Sequence, residues 1–346
     1  MDTARLLVRV TRALLLSTVT LGCRAPRAVV SAAPPAPLAA FDSFWEDFDR
    51  TYAYFEHKQV DWPSMRTRWR DSAAHVTSDS AFVSLLLQTV KPLRDVHLTF
   101  TRPDGSQLPS HVSEKPRNWH RAVWMASMRR LSYTDHGSWG WAIVDSVGYL
   151  FIGGWNDAVL KTNDVDRVLA DLRETRALVV DVRVNGGGND ALALRVAARF
   201  AARDVVYGSV QYRNGPRHSD FGSMVPRTLK PRGPWTYSKP VYLLVGRGCF
   251  SSNETFIAAM SMLPNIVVAG DTTGGSSGNA VQRRVVIGGR ETGWRYAVPR
   301  WIDRMADGTV IEWNGIAPDV VVAFDSARVA NGIDPVLEWA LARARR

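Results

Sequence analysis

The middle of the chain alternates between short apolar runs and longer segments in which apolar side chains recur at helical spacing. The short runs predict strands at residues 148–153, 177–182 and 205–212. The segments between them, 164–172 and 190–202, have the periodicity of helices with one buried face. Strands and helices in alternation are typical of a mainly parallel sheet covered by helices. The sequence therefore predicts an α/β fold.

The same alternation surrounds a serine turn at residues 241–279. Apolar runs at 241–245 and 266–269 predict two more strands, and a turn with Ser251 between them leads into a predicted helix. A helix N-terminus offers unpaired N–H groups and a partial positive charge, which suit a nucleophile on which negative charge develops. Ser251 and Glu254 also fit the S-x-x-E capping box, in which the serine only caps the helix. Both interpretations stay open at this point.

The N-terminus has the pattern of a secretory signal peptide over residues 1–22. Three arginines precede an apolar run that is too short to span a membrane as a permanent helix. Cys23 ends the tetrapeptide T-L-G-C, which is similar to a bacterial lipoprotein box, and this predicts lipidation of Cys23. Ordinary signal cleavage within residues 31–40 is the alternative. We therefore expect an exported protein, either periplasmic or membrane-anchored as a lipoprotein in a bacterium.

Two further segments precede the alternating part. Residues 23–40 are rich in proline and alanine, which predicts a flexible tether. Folded structure is expected from residue 41, where Ser43 and Glu46 form a capping box for a first helix. Helical patterns continue to Pro92, so residues 41–92 are predicted as a helical subdomain and residues 93–346 as the core.

Composition excludes several classes of function. The chain has 346 residues, of which 46% are hydrophobic and 22% charged, as in globular proteins. Its net charge of +10 comes mainly from scattered arginines without a nucleic-acid-binding motif, so no nucleic-acid partner is predicted. Cys23 and Cys249 cannot form a disulfide once Cys23 is lipidated or removed. No H-E-x-x-H or comparable cluster occurs, so neither a metal nor a cofactor is predicted.

A serine nucleophile needs partners elsewhere in the chain. A base must take its proton, a third group usually orients that base, and backbone donors must stabilise the oxyanion. Residues 181–188, D-V-R-V-N-G-G-G, end a predicted strand in three glycines, which lets the backbone approach a ligand closely. The run lacks the Lys-Ser/Thr ending of a phosphate-binding loop. A plain strand-to-helix turn is the alternative interpretation.

Four motifs follow one another in an informative order. They are L-R-D-V-H at 93–97, D-V-R-V-N-G-G-G at 181–188, F-S-S-N-E at 250–254 and E-W-N-G-I-A-P-D at 312–319. In this order they resemble the tail-specific, or C-terminal processing, serine peptidases. The opening segment FWEDFDRTYAYFEHKQVDW is similar to the helical lead-in of the tricorn-core subgroup. The resemblance covers residues 41–324 and implies a ClpP/crotonase-like core behind an N-terminal helical subdomain.

The resemblance also implies a role for individual residues. Ser251 would be the nucleophile, and the N–H groups of Ser252 and Gly187 would form the oxyanion hole. Many members use a lysine base in a glycine-rich turn, but that turn contains no lysine here, which excludes a Ser-Lys dyad. The tricorn-like variant implies His97 as the base instead, with Glu312 stabilising its imidazolium form.

Two features depart from the family pattern. Val96 stands where a glycine usually precedes the histidine. Residues 101–147 are too few for the peptide-binding PDZ module of the lysine-dyad members. Five tryptophans in or near this segment could line an apolar cleft, although packing in the core is the commoner fate of this residue. They are Trp119, Trp124, Trp139, Trp141 and Trp155.

The leading hypothesis is an exported serine endopeptidase with a Ser-His-Glu site. Its partner would be a peptide or an unfolded protein, cleaved internally or near a C-terminal tail, and the oligomeric state is not predicted. A catalytically inactive binder of apolar small ligands on the same fold is the alternative. An acyl-CoA enzyme of the crotonase type would need coenzyme A, which does not suit an exported protein.

Overall fold

A computed structural model describes residues 35–346. The predicted signal peptide, Cys23 and most of the predicted tether lie outside the described residues. Among the helices of the described part, none combines the length and the apolar character needed to span a bilayer.

Ten α-helices and one 3₁₀ turn are formed within residues 35–346. The helices are α1 (Ala36–Thr51), α2 (Phe55–Lys58), α3 (Trp62–Ala73), α4 (Asp79–Val90), α5 (Arg121–Arg130), α6 (Thr162–Asp171), α7 (Asp190–Ala197), α8 (Ser252–Ser261), α9 (Ser326–Ala330) and α10 (Pro335–Ala344). The 3₁₀ turn, Lys91–Leu93, follows α4 directly.

The same residues contain fourteen strands in three sheets. They are β1 (Thr99–Thr101), β2 (Gln107–Pro109), β3 (Thr134–Asp135), β4 (Trp139–Val144), β5 (Val147–Ile152), β6 (Ala177–Asp181), β7 (Val205–Tyr212), β8 (Val225–Leu229), β9 (Val241–Val245), β10 (Ile266–Gly270), β11 (Ala280–Ile287), β12 (Arg290–Pro299), β13 (Trp301–Met305) and β14 (Val320–Val321).

The central sheet has seven strands in the order β14-β10-β9-β6-β5-β4-β3. Its pairs from β14 to β5 are parallel, and β4 and β3 add an antiparallel edge. This confirms the mainly parallel α/β sheet expected from the alternating pattern. One assignment was incomplete: residues 205–212 do form a strand, but β7 pairs antiparallel with β8 and β13 in a separate three-stranded sheet.

Both faces of the central sheet are buried, because successive side chains of a strand point to opposite sides. On β6, Leu178 and Val180 pack in the core beneath α6, α7 and α8. Ala177 and Val179 point the other way, into the core beneath α10. The continuous apolar runs of the sequence reflect this burial on both faces.

The N-terminal helices belong to a further core, which they share with strands. Phe44 and Phe48 of α1 pack with Phe100 of β1 and with Tyr296 of β12 in the four-stranded sheet β11-β12-β1-β2. The helices and this sheet thus bury each other's apolar faces. Residues 41–92 therefore share their hydrophobic core with these strands.

The start of α1 also differs from the prediction. The helix begins at Ala36, so the last five residues of the expected tether, 36–40, are helical. Proline fits the first turn of a helix and alanine has the highest helix propensity, so a Pro/Ala-rich stretch can continue a helix as well as form a linker. Ser43 lies inside α1, where its hydroxyl donates to the C=O of Ala39 at 3.0 Å. The predicted capping box at Ser43 is therefore wrong.

The segment 101–147, left largely unassigned by the sequence, contributes to the sheets. It contains β2, α5, β3 and β4, and the last two extend the central sheet. Trp139 and Trp155 are buried in the main core, and Trp124 packs its ring on Phe151. Packing in the core accounts for Trp139 and Trp155, whereas Trp124 is half-buried and also lines a surface pocket.

Candidate active site

Ser251 occupies the sharp turn between β9 and α8. Its backbone has φ 57° and ψ −131°, a conformation that is costly for a residue with a Cβ and persists only where the surroundings impose it. The Ser251 N–H donates to the C=O of Ser276 at 2.8 Å, and its own C=O accepts from the N–H groups of Glu254 and Thr255. Its side chain makes no capping hydrogen bond. The capping interpretation is therefore wrong, and α8 does not use the hydroxyl.

Glu254 has a different task from the one that a capping box would give it. Its buried carboxylate accepts hydrogen bonds from the hydroxyl of Thr273 and from the N–H groups of Gly275 at 2.9 Å and Ser276 at 2.8 Å. Burial raises the pKa of Glu254 to about 8, against the effect of these three donors. Glu254 thereby ties the glycine-rich turn, from Thr273 to Ser276, to the first turn of α8.

The glycine turn after β6 lies against Ser251. Gly187 has φ +109°, and a Cβ built on it would lie 2.7 Å from the Cβ of Ser251 and 3.2 Å from the nitrogen of Ser252. The N–H of Gly187 donates to Oδ1 of Asn185 at 2.9 Å. Gly187 is thus beside the serine as predicted, but its N–H is already bonded. The N–H of Ser252, the first residue of α8, has no acceptor within the helix.

His97 follows the 3₁₀ turn, and one carboxylate holds its backbone while a hydroxyl contacts its ring. Arg94 adopts a left-handed conformation with φ 47°, which ends that turn. Oδ1 of Asp95 then accepts from the backbone N–H of His97 at 2.9 Å. The ring Nδ1 of His97 lies 2.5 Å from Oγ of Ser276, and Ser276 Oγ lies 3.5 Å from Asp95 Oδ1. This places the imidazole at the turn that carries Ser276.

These contacts favour one tautomer of His97. If the Ser276 hydroxyl donates to the Asp95 carboxylate, its oxygen must accept from His97. The proton of the neutral ring then lies on Nδ1, and the lone pair lies on Nε2. Within the described residues no hydrogen bond joins His97 to Ser251 or to Glu312. A base with its lone pair on Nε2 is the form that can take a proton from a serine.

A buried ion cluster lies behind the histidine. Nζ of Lys58 lies 3.0 Å from Oδ2 of Asp95 and 2.6 Å from Oε1 of Glu312, and all three side chains are at most 1% exposed. The hydroxyl of Tyr52 donates to Asp95 Oδ2 at 2.8 Å. Oε2 of Glu312 has no hydrogen-bond partner within the described residues. Glu312 therefore pairs with Lys58, not with the His97 ring.

The buried ion cluster and burial itself shift the pKa values of His97, Asp95 and Glu312. Burial lowers the pKa of His97, against the raising effect of Asp95. Burial pushes the pKa of Asp95 up, but the charges of Lys58 and His97 bring it below its usual value. Burial raises the pKa of Glu312 to about 8, and the negative charge of Asp95 adds to this shift. A neutral imidazole near neutral pH is what a general base requires.

The structure thus brings the predicted site residues together, but the hydrogen-bond partners of His97 and Glu312 differ from the predicted ones. Ser251 and Ser252 begin α8, Gly187 lies against them, and His97 reaches the same turn through Ser276. Glu312 reaches the site through the Lys58 ammonium and also faces the Ser276 hydroxyl, which acts to lower the pKa of Glu312 against burial.

Three residues of the site were missed by the sequence analysis. Asp95 lies inside the L-R-D-V-H motif, two residues before His97, so its position was a usable signal. Ser276 lies in the glycine-rich turn that would carry the lysine of a Ser-Lys dyad, and a hydroxyl in this turn is not part of that family pattern. Lys58 is a single lysine at the end of α2, and nothing in its local sequence indicates burial.

Other chemistries find little support in the described part of the chain. No group of three His, Cys, Asp or Glu side chains in residues 35–346 is arranged to hold a metal ion. Cys249 is buried, its thiol donates to the C=O of Val182 at 3.2 Å, and burial raises its pKa. A protonated, buried thiol packs as a small hydrophobe and is not poised as a nucleophile.

Comparison with protein families gives two matches. The model of peptidase family S41 matches residues 146–322, and that of the tricorn protease C1 domain matches residues 37–91. The carboxy-terminal processing protease CtpB of Bacillus subtilis (strain 168) is 25% identical over 179 residues, which are 51% of this chain. The match covers 34% of CtpB, so this chain spans about a third of that relative.

Solved structures of other proteins have a similar fold over most of the length of this chain. A candidate peptidase from Parabacteroides merdae has a TM-score of 0.79 at 25% identity, and the match covers 90% of this chain and 97% of that one. Mature CPAF has a TM-score of 0.67 at 10% identity, covering 90% of this chain and 96% of its own. At that identity the likeness to CPAF shows the fold alone.

Proposed function

This chain belongs to peptidase family S41, and from that membership and the serine turn we propose that it is a serine endopeptidase with a Ser-His-Glu site. Its substrates would be peptides or unfolded proteins, cleaved internally or near their C-terminal tails. The observation that carries the proposal is the conformation of Ser251. A serine with φ 57° at a helix N-terminus, whose hydroxyl does not cap the helix, is costly and has no structural use of its own.

The proposed reaction uses the two ring nitrogens of His97 differently. Oγ of Ser251 attacks the peptide carbonyl carbon while Nε2 of His97 takes the hydroxyl proton. The tetrahedral intermediate then collapses, the C–N bond breaks, and the leaving amine takes that proton from Nε2. Water repeats the sequence on the acyl-enzyme and releases the acid. Throughout, Nδ1 keeps its proton and donates it in a hydrogen bond to the Ser276 oxygen, and this bond holds the ring in place.

The oxyanion would form at the N-terminus of α8. The N–H of Ser252 supplies one donor together with the positive end of the helix dipole. Gly187 supplies the second donor only when its N–H leaves Oδ1 of Asn185. Substrate binding would therefore exchange that hydrogen bond for one to the oxyanion.

Glu312 would stabilise the imidazolium form of His97 indirectly, through other side chains. When His97 takes the proton, the nearest carboxylate in the hydrogen-bond network is Asp95, which Ser276 connects to the ring. Lys58 links Asp95 to Glu312, so the carboxylates and the ammonium act as one buried charge set. We propose Asp95 and Ser276 as positioning residues of this reaction.

We also propose export of the protein with a lipid anchor at Cys23. The support is the arginine-then-apolar pattern of residues 1–22 and the T-L-G-C tetrapeptide. The intact mass of protein purified from membranes tests this proposal. We expect a mass increased by acyl chains, and a Cys23→Ala variant that leaves the membrane fraction. An unmodified protein cleaved within residues 31–40 would favour the alternative.

Cleavage of a diverse peptide mixture, read by mass spectrometry, tests the activity. The protein should produce new peptide ends, and its Ser251→Ala variant should produce none. A fluorophosphonate probe should label the protein once, at Ser251, and not the variant. Labelling without cleavage would indicate a competent nucleophile with an unsuitable substrate set. Neither labelling nor cleavage by folded protein would contradict the proposal and favour the binder of apolar ligands.

A further inference from the structure

A cavity of about 520 Å³ opens at the glycine-rich turn that carries Ser276, and most of its wall has no part in the reaction described above. Its wall includes the glycine-rich turn at Gly275 and Ser276, and it is bounded on one side by Trp313. The opposite wall comes from residues close to the His97 segment and from the loop that follows β2. The residues on which the argument depends are Arg94, His111, Glu114, Lys115, Ser276 and Trp313.

The cavity adjoins the proposed nucleophile through Ser276. The C=O of Ser276 accepts from the N–H of Ser251, and its hydroxyl contacts the His97 ring. A group bound in the cavity would therefore lie next to the residue that connects the serine with its base. The position suits a peptide side chain or a chain end that flanks the cleaved bond.

Two cationic side chains in this wall are not used by the fold. Arg94 and Lys115 are exposed, and neither forms an ion pair with another side chain of residues 35–346. Glu114 is the acidic neighbour on this wall, while Glu312 is paired with Lys58. Unpaired cations beside a cavity attract an anion of the ligand.

The pKa of His111 indicates which sign of charge dominates at this wall of the cavity. Burial lowers the pKa of His111, and the charges of Arg94 and Lys58 lower it further, against Asp95 and Glu114. The positive charges thus outweigh the negative ones at this ring. Because the neutral imidazole does not compensate an anion, Arg94 and Lys115 are the groups that would bind one.

Trp313 gives the cavity an apolar wall of fixed position. Its side chain is 40% exposed, its backbone has φ 67°, and its N–H donates to the C=O of Gly275 at 2.9 Å. Nζ of Lys58 lies 5.4 Å from the ring centre, which holds the ring from behind by a cation–π contact. An exposed tryptophan held by its own backbone is suited to pack on the hydrocarbon part of a ligand.

We propose that this cavity binds a carboxylate of the peptide substrate, with Arg94 and Lys115 as its ion-pair partners and Trp313 packing on the adjoining hydrocarbon. The proposal rests on the peptidase function proposed above. The carboxylate has two possible sources: an Asp or Glu side chain near the cleaved bond, or the free α-carboxylate at the end of the chain. Both present the same planar anion to a guanidinium.

Short acetylated alanine-rich peptides in matched forms distinguish the two sources. One pair differs only in a free or an amidated C-terminus. A second pair, both amidated, carries Glu or Gln at one internal position. Preference for the free C-terminus identifies the α-carboxylate, and preference for Glu over Gln identifies a side chain. Equal kcat/KM within both pairs would overturn the proposal.

An Arg94→Gln/Lys115→Gln variant tests the residues. We expect kcat/KM for the preferred carboxylate peptide to fall about tenfold or more through KM, with the uncharged partner peptide unaffected. Arg203→Gln/Lys230→Gln is the matched control, because both residues are exposed, carry the same charge and do not line the cavity. An equal loss for charged and uncharged peptides would contradict the assignment.

Binding separates this inference from the proposed activity. The same peptides are titrated calorimetrically against the Ser251→Ala protein and against that protein with the Arg94→Gln/Lys115→Gln changes. Tighter binding of the carboxylate peptide, lost with the two cations and weakened by salt, supports the site even if no peptide is cleaved. Equal binding of both peptide forms overturns it even if cleavage occurs.

Discussion

The imidazole Nδ1 of His97 lies 2.5 Å from Oγ of Ser276, and this contact, not one to Glu312, holds the ring. The hydroxyl in turn lies 3.5 Å from Oδ1 of Asp95, which is long for an O–H···O hydrogen bond and therefore weak. The orientation of the His97 ring therefore depends mainly on Ser276. In the proposed mechanism, Ser276 takes the place that a carboxylate has in a Ser-His-Asp triad.

The first prediction concerns this hydroxyl. Ser276→Ala should lower kcat about 100-fold, because the ring loses the acceptor for Nδ1–H and with it the orientation of Nε2. KM should change little, and the free energy of unfolding should fall by about 1–2 kcal/mol for the lost buried hydrogen bond. Steady-state kinetics and urea unfolding measure the two effects.

Ser277→Ala is the matched control for that change. The Ser277 hydroxyl is also buried, one residue further along the turn, and faces the Asp303 carboxyl instead of His97. This variant should retain kcat within about threefold, because the removed hydroxyl does not contact the His97 ring. Similar losses in both variants would mean that the turn, and not the contact with His97, is responsible.

The pH dependence of activity follows from the titration of His97. A protonated ring cannot accept the Ser251 proton, so kcat/KM should be lost as the pH falls through the pKa of His97. Burial lowers that pKa from its ordinary value of 6.5, so the midpoint of the acid limb should lie below 6.5. Asp95→Asn removes a charge that raises the pKa, and should move the midpoint lower still. An upward movement would show that Asp95 is not coupled to the base.

The central sheet could be predicted because its strands are buried on both faces. Runs such as residues 241–245 then carry the signal without alternation, and β9 has these bounds in the structure. The start of α1 was missed because proline and alanine suit both a linker and the first turn of a helix. The partner of β7 could not be predicted, since the pattern of a strand does not show which sheet it joins.

The site could be predicted only as far as its motifs extend. Ser251 and His97 lie in motifs that fix their neighbourhood, and the structure brings both to the turn of Ser276. Lys58 lies in no motif, because its burial depends on how α2 packs against the segments that contain Asp95 and Glu312. A side chain whose role arises from three distant segments leaves no local pattern.

Lys58 should be essential to stability. In Lys58→Met, Asp95 and Glu312 remain buried without their shared cation, which should lower the free energy of unfolding by about 3–5 kcal/mol near neutral pH. Loss of the ammonium raises the folded-state pKa of both carboxyls, so they are stabilised by protonation as the pH falls. The cost should therefore shrink from about pH 8 to about pH 5, as urea unfolding at both values can measure.

Glu312→Gln in the Lys58→Met background supplies the matched comparison. Glu312 has a pKa of about 8 even with Lys58 present, so at pH 8 the Lys58→Met protein must either bury its charge or take up a proton on folding. Glutamine removes that cost, so the double variant should be more stable than Lys58→Met alone, at pH 8 in particular. A cost for Lys58→Met that is independent of pH and unrelieved by Glu312→Gln would indicate lost packing of the lysine side chain.

Gly187→Ala should remove both the geometry and the reactivity of the serine turn. The added Cβ would lie 2.7 Å from the Cβ of Ser251 at a backbone φ of +109°, so either the glycine turn or Ser251 must move. We expect a loss of about 1–3 kcal/mol in the free energy of unfolding and the loss of fluorophosphonate labelling. Gly137→Ala separates the two causes, because Gly137 has φ +81° but open space around its Cβ position. That control should show the backbone cost and keep full labelling. If Gly187→Ala were labelled at the rate of Gly137→Ala, contact between the glycine turn and Ser251 would not matter for the nucleophile, and Gly187 would have no place in the proposed oxyanion hole.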